Sequence, residues 1–413
     1  TTTHSIILDK LNSSNLYNKI RYLIKYQKKR LKIQKQSFQN VIHTVEKNSL
    51  LIDNIRSSLF FNFNLNIKKI NYRIINIYNT GQKLNHRLYN ISLGKKFTNG
   101  FIRNGHDVLE ISDRDFLKQN RGFTLSNNSV KFQSYIIETF KNYSPDLVFF
   151  GHTNSLDIET LLEFKKINKN LVLSHWNEDP IMPGLDYSKR NISNISRYSD
   201  LVDFNFITTH PSILKKHNGN FKNFDFIFIP VDKNIECFNV YNMNPVKDLF
   251  YAMSHGVNRG VLKKGKSDDR INFLNKLIKK INGINYDFYG FENKDPIWGN
   301  NFYNSLVNSK MGLNLSRGRP AKYYSSNRIA SLVGNGLLTF VDKKTQLDDF
   351  FNKKEIIFYN SIEDLADKIR FYKNNEKSRI KIAKNGKKKY FKLFNEQRIT
   401  KYIIDMSFGK KTN

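Results

Sequence analysis

From residue 72 to residue 393 the chain repeats one pattern: a short apolar run, a loop, then a longer stretch with apolar residues at helical spacing. Tyr72-Arg-Ile-Ile-Asn-Ile-Tyr78, Leu147-Val-Phe-Phe150, Leu171-Val-Leu173, Leu201 to Ile207 and Phe226-Ile-Phe-Ile229 are strand-sized runs. Runs this apolar belong to strands covered on both faces. Asn104 to Ile111 reads as a turn entering another strand, and the segment through Leu84, Leu88 and the region of Phe101 reads as a helix. Val130 to Asn142 and Leu156 to Ile167 read as further helices. The series restarts near residue 247, with strands at Leu249–Met253, Tyr286–Tyr289, Met311–Leu315, Leu337–Phe340 and Ile356–Tyr359. Helices are expected near 269–282, 300–308, 325–334, 361–374 and 376–393, and Ser361-Ile-Glu-Asp364 supplies an N-cap for the fourth. Strands alternating with helices give a parallel sheet with helices on both faces. The segment from Pro230 to Pro245 reads as the join between two such units. The expected fold class is therefore α/β: two Rossmann-like domains, residues 67–240 and 241–395, facing across a cleft, then a C-terminal helix over 396–413.

Residues 1–66 read differently. Ile20, Leu23, Ile24 and Leu31 recur at helical spacing among Lys25, Lys28, Lys29, Arg30, Lys32 and Lys35, and a second periodic piece runs from Val41 to Ile55. These are basic amphipathic helices, open to two readings: an arm packed on its own core, or a membrane-surface or oligomerisation element. The whole chain carries 68 Lys and Arg against 36 Asp and Glu, a formal charge of +32. That surface attracts nucleic acid, anionic lipid headgroups or phosphorylated substrates without choosing among them; the excess of Lys, Asn and Ile also reads as compositional bias. The single cysteine, Cys237, excludes an internal disulfide and a multi-cysteine metal site, and a buried structural role is expected for it. The start, Thr1-Thr-Thr-His4, has no signal-peptide pattern, and no apolar run approaches the roughly 20 residues of a membrane span. A cytoplasmic protein is expected, with peripheral association at the inner face of the cell membrane left open.

Ligands of open α/β sheets bind beyond the carboxyl ends of the strands, so three loops draw attention. Ser254-His-Gly-Val-Asn-Arg-Gly-Val-Leu-Lys-Lys-Gly-Lys266, leading to Arg270, follows the first strand of the second domain. Its glycines and cations, with Ser254, His255, Arg259, Lys264 and Arg270 foremost, suit a phosphate as well as a solvated basic loop. Asn314 to Arg328 lies between a strand and the next helix and brings Arg317, Arg319, Tyr324, Ser326, Asn327 and Arg328 together. Ser325, Ser326 and Asn327 also suit helix capping, whereas Arg328 opposes the helix dipole and invites another explanation, such as an anionic ligand. Ser174-His-Trp-Asn-Glu-Asp-Pro-Ile-Met-Pro-Gly184 offers Glu178 and Asp179 as general bases, with turn chemistry as the plainer reading of Asp179-Pro180. His152, after the preceding strand, joins them as a candidate, and His86 is a weaker one. Trp176 either stacks on a sugar face or packs between domains.

The stretch from Met311 to about Phe394 resembles the C-terminal domain of the group 1 glycosyltransferases, which have the GT-B fold. The resemblance rests on Asn314-Leu-Ser316, Arg328 opening a helix, Gly334-Asn-Gly-Leu-Leu-Thr339, Leu347-Asp-Asp-Phe350, Glu355-Ile-Ile-Phe-Tyr359 and Ser361-Ile-Glu-Asp-Leu-Ala366, then a basic helix with Ala383 and Gly386. It extends more weakly over the first domain. It implies a nucleotide-sugar held by the second domain and a glycan or lipid-linked acceptor held by the first. An acceptor hydroxyl would attack the anomeric carbon while a nucleoside phosphate leaves. Cell-surface polysaccharide synthesis is expected by analogy. No metal-binding motif is present, and the resemblance implies chemistry without a metal or other cofactor. Two departures stand out. Ser331 occupies the position of the glutamate that holds the donor ribose in many relatives, and Tyr323 that of the upstream glutamate of retaining enzymes. They lean the expectation toward inversion. Two rivals remain: a basic nucleic-acid-binding protein, although no nucleic-acid recognition motif occurs, and a catalytically degenerate scaffold of the same fold.

Overall fold

Strand β1 (Arg73–Ile77) shows why apolar runs of this kind form a two-faced sheet. Ile74 and Tyr78 enter one buried cluster, and Ile75 and Ile77 enter another on the opposite face. β3 (Leu147–Gly151) divides its side chains in the same way, Leu147 and Phe149 to one side, Val148 and Phe150 to the other. Each such side chain taken from water contributes about 1.5–3 kcal/mol, so helices must cover both faces. The computed structural model describes residues 13–44, 71–81, 92–120, 125–151, 153, 155–183, 186–217, 221–254, 261–262, 266–267 and 269–409.

The chain forms two compact units, one of residues 1–71 and 105–107, the other of the remainder. In the first, α1 (Ser13–Lys25) and α2 (Gln27–Thr44) bear out the helical periodicity. Lys29 Nζ donates to the Tyr22 hydroxyl at 2.7 Å across the joint between them, while Tyr17, Ile20, Ile24 and Leu31 are exposed. The periodic piece from Val45 to Ile55 lies outside the described residues.

The second unit holds both sheets. After β1 come α3 (Leu93–Arg103), β2 (Asp107–Ile111), α4 (Asp113–Gln119), α5 (Leu125–Tyr143), β3, α6 (Ile158–Ile167), β4 (Val172–Asn177), α7 (Asp186–Ser199), β5 (Phe204–Ile207) and β6 (Phe224–Phe226). Their sheet has the order β2-β1-β3-β4-β5-β6, and β1, β3, β4, β5 and β6 pair in parallel. The last strand ends earlier than expected: Phe226 pairs with Ile207 and Ile227 N still donates to the Ile207 carbonyl at 3.0 Å, after which Phe228 and Ile229 leave the sheet and are buried, Phe228 against the rings of Tyr390 and Phe394.

The second sheet is built from β7 (Lys247–Ala252), then β10 (Tyr286–Tyr289), β11 (Ser309–Asn314), β12 (Leu338–Asp342) and β13 (Ile357–Tyr359), in the order β10-β7-β11-β12-β13, all parallel. Between β7 and β10 lie a small antiparallel pair, β8 (Val261–Leu262) and β9 (Lys266–Ser267), and α8 (Asp269–Ile278). The other helices are α9 (Gly299–Val307), α10 (Arg328–Gly334), α11 (Ile362–Asn374) and α12 (Glu376–Leu393). Ser361 caps α11 as its sequence promised, its side chain accepting from Asp364 N.

The final helix, α13 (Glu396–Ser407), returns to the first sheet. Ile399, Ile403 and Ile404 join Phe97 and Phe101 of α3 in one buried cluster, and Ser174 Oγ donates to Ser407 Oγ at 2.8 Å. Two sequence readings need correction. Trp176 is buried in that same cluster, edge-on to Phe97, and is a core residue. Cys237 is exposed, because the segment joining the sheets runs along the surface there. Among the described residues no helix is long and apolar enough to cross a membrane.

Candidate functional site

In the second sheet β7 lies between β10 and β11, so the chain leaves it in opposite directions. A crevice opens at the carboxyl ends where strand order reverses in this way. There the structure has a cavity of about 440 Å³, lined by Ala252 at the end of β7, Met253 and Ser254 after it and Arg317 after β11. A volume of that size is in the range of small-molecule sites.

The same cavity collects most of the residues singled out from the sequence. Arg270, in the first turn of α8, lines it and is itself buried. Tyr324, Ser326, Asn327 and Arg328 line it from the loop that precedes α10. That loop is fixed internally: Asn314 Nδ2 donates to Ser325 Oγ at 3.0 Å, and Tyr323 takes a left-handed φ of 63° to turn the chain. Arg328 braces two strand ends. Its Nε donates to the Ala252 carbonyl at the end of β7 at 3.0 Å, its Nη1 donates to the Leu315 carbonyl after β11 at 2.8 Å, and its guanidinium lies 4.8 Å over the Tyr251 ring. Those bonds hold it in place against the helix dipole, where the sequence suggested an anionic ligand. Asn327, expected as a cap, makes no side-chain capping bond; its Oδ1 accepts instead from Lys96 Nζ at 3.0 Å.

From the first sheet, Glu178, Asp179 and Pro180 line the cavity. Their loop follows β4 and is held by its backbone: Asn177 Nδ2 donates to the Asp179 carbonyl at 2.7 Å, Thr208 Oγ1 to the Glu178 carbonyl at 3.0 Å, and Asn191 Nδ2 to the Pro180 carbonyl at 2.9 Å. Three guanidinium groups from one sheet thus share a cavity with two carboxylates from the other. The first set suits a diphosphate and the second can accept a proton.

Arg319 is exposed and lies outside the cavity lining, beyond the turn at Gly318, whose φ is 77°. His86, His152, His255, Arg259 and Lys264 lie outside the described residues. Ser331 lines the cavity, whereas the Tyr323 hydroxyl turns away to donate to Asp349 at 2.7 Å. Sequence reasoning missed Ser92, which caps α3, and the segment Ile297-Trp298-Gly299 with Phe302 at the start of α9. One of only two tryptophans, set in a Pro-Ile-Trp-Gly segment leading into a helix, was the available signal.

An alpha-glucosyltransferase solved with UDP-glucose and DNA containing an abasic site superposes with a TM-score of 0.55 at 12% identity, over 82% of this chain and 100% of that one. Sucrose-phosphate synthase from Thermosynechococcus elongatus gives 0.53 at 12% identity, over 82% of this chain and 98% of the other. Residues 270–405 match the family model described as Glycosyl transferase-like. The fold is GT-B. No curated sequence matches the chain. The two Rossmann-like sheets of the GT-B expectation are present, and the family match begins at Arg270, inside the cavity wall.

Proposed function

We propose that this GT-B protein transfers a sugar from a nucleotide-sugar, with a UDP-sugar the first candidate, to a hydroxyl of a glycan or lipid-linked acceptor in cell-surface polysaccharide synthesis. One observation carries the reading: Arg270, Arg317 and Arg328 meet Glu178 and Asp179 around one cavity at the strand ends. The acceptor hydroxyl gives its proton to the Asp179 carboxylate, its oxygen forms the bond to the anomeric carbon, and the bond from that carbon to the leaving phosphate oxygen breaks. The electron pair departs onto the diphosphate, where guanidinium groups stabilise it without a metal. Ser331 and Tyr323 stand where retaining relatives carry carboxylates, which favours a single displacement with inversion. The exposed apolar and cationic residues of α1 and α2 support docking on an anionic membrane surface at the cytoplasmic face. The nucleic-acid reading is not favoured, since the family match is to glycosyl transferases.

A thermal-shift screen with UDP, GDP and CMP tests the donor. The right nucleotide at about 100 times its dissociation constant stabilises by roughly 2.7 kcal/mol, and no shift with any of them argues against the assignment. Asp179→Asn is expected to lower kcat by roughly 10²–10⁴ with donor affinity and melting temperature kept. Unaltered turnover would remove Asp179 from the role of base.

A further inference from the structure

From Lys377 to Asn395 the sequence has no acidic residue. Within that stretch α12 places Lys377, Lys381, Lys384, Lys388 and Lys392 at exposed positions. At 3.6 residues per turn the five fall within about 80° of arc and along roughly 22 Å of helix, in one straight row. The opposite side is fixed in the core: Arg379, Ile382, Ala383, Gly386 and Tyr390 are buried, and the Tyr390 hydroxyl donates to the Ile229 carbonyl at 2.7 Å. The row is therefore carried on a helix whose orientation is set from beneath.

Other helices pair their cations. Lys141 meets Glu138 on α5, Lys368 meets Asp364 on α11 and Lys401 meets Asp405 on α13. In α12 the pair is Glu376 with Arg379, in the first turn and partly beneath the helix. Among the described residues, none of the five side chains of the row makes an ion pair or a hydrogen bond. Like charges at such spacing weaken a helix, so the row costs stability and gains no ion pair in return. The loop before β13 adds to it. Asn385 Nδ2 donates to the Lys354 carbonyl at 3.2 Å, which brings exposed Lys353 and Lys354 beside the middle of the helix, while the Glu355 carboxylate accepts from Asn352 N at 2.9 Å.

We propose that the lysine row of α12 is a docking surface for an anionic lipid bilayer. Several cations gathered on one helix suit such a surface. A straight convex row meets a plane along its whole length, and ammonium groups act as point charges that need no fixed partner geometry. Recognition of a nucleic acid draws on arginine forks and stacked rings, and the row has neither. The surface lies on the unit that holds both sheets, separate in the chain from α1 and α2, and includes none of the cavity lining. It agrees with a lipid-linked acceptor and does not depend on the donor reading.

Co-sedimentation of the full chain with vesicles at about 0.1 M salt tests it. The vesicles are pure phosphatidylcholine, or phosphatidylcholine with about 30% phosphatidylglycerol. The wild type should bind the second and not the first. Each lysine at such a surface contributes about fivefold in affinity, so Lys381→Gln/Lys384→Gln/Lys388→Gln should bind the anionic vesicles roughly a hundredfold more weakly. Lys169→Gln/Lys222→Gln/Lys279→Gln removes three exposed lysines elsewhere, and should keep wild-type binding within a few-fold. The row variant should melt no lower than the wild type, because repulsion along the helix is relieved. Unchanged vesicle binding by the row variant, or an equal loss in the control, overturns the proposal. So does a row variant that loses affinity for duplex DNA but not for vesicles, which makes nucleic acid the partner. Wild type that ignores anionic vesicles overturns it too, whatever its affinity for UDP, so the failure of this proposal and that of the donor reading are told apart.

Discussion

His175 shows what a buried titratable group does to this molecule when the site does not use it. It lies on β4 beside the rings of Phe150 and Tyr198, fully enclosed, and burial pulls its pKa down to about 4. The folded state therefore prefers the neutral imidazole. Below pH 6.5 the unfolded chain binds a proton that the folded one refuses, so stability falls as pH drops from about 6.5 to 4 and levels off below that. Across that window the loss is on the order of 3 kcal/mol. Urea unfolding of His175→Asn at pH 7, 5.5 and 4.5 should show a flatter acid slope than the wild type; an identical slope would mean that other groups set it. Neither this burial nor that of Lys96 was legible in the sequence. Both are polar residues whose surroundings come from distant segments, and local spacing says nothing of those. Arg328 could be read, because a cation in the first turn of a helix is anomalous by local rules alone.

At the scale of elements, the strands were legible because two-sided burial forces near-continuous apolar runs, and α12 matched its expected limits, 376–393. α7 was not, since Asp186–Ser199 is mostly Ser, Asn and charged residues and only its tertiary contacts make it a helix. Gly100 makes the element argument testable. Inside α3 a glycine weakens the helix by about 1 kcal/mol relative to alanine, so propensity alone predicts that Gly100→Ala stabilises. The packing predicts the reverse. A Cβ at residue 100 would strike the Glu396 carbonyl oxygen and the Thr400 side chain at the start of α13. Overpacking of that kind costs roughly 1–3 kcal/mol, and the urea midpoint should fall. A higher midpoint would show that α13 can yield at that contact.

For the whole molecule, the chain crosses between the two sheets twice, and the crossings touch. Val231 N donates to the Phe394 carbonyl at 3.0 Å and Glu396 N donates to the Val231 carbonyl at 2.9 Å, so the outgoing and returning segments are tied. Around them Arg103 pairs with Asp232 at 3.0 Å and also with Glu396, whose pKa burial pushes up, helped by Asp232. A reading along the sequence ends the second domain and appends a helix; nothing in Glu396–Ser407 says which sheet it covers. The consequence is that the helix Glu396–Ser407 belongs to the stability of the first sheet. Removing it uncovers Phe97 and Phe101 and deletes Ile399, Ile403 and Ile404 from the cluster. At about 1.5–3 kcal/mol for each isoleucine, the loss is comparable with the roughly 5–15 kcal/mol that holds an ordinary domain together. A chain ending at Asn395 should lose its first sheet while the second persists. Limited proteolysis should then cut within residues 73–226 and spare 247–393. Full resistance over both ranges in the shortened protein would mean that the first sheet stands without the returning helix, and that the paired crossings hold the two sheets together without stabilising either.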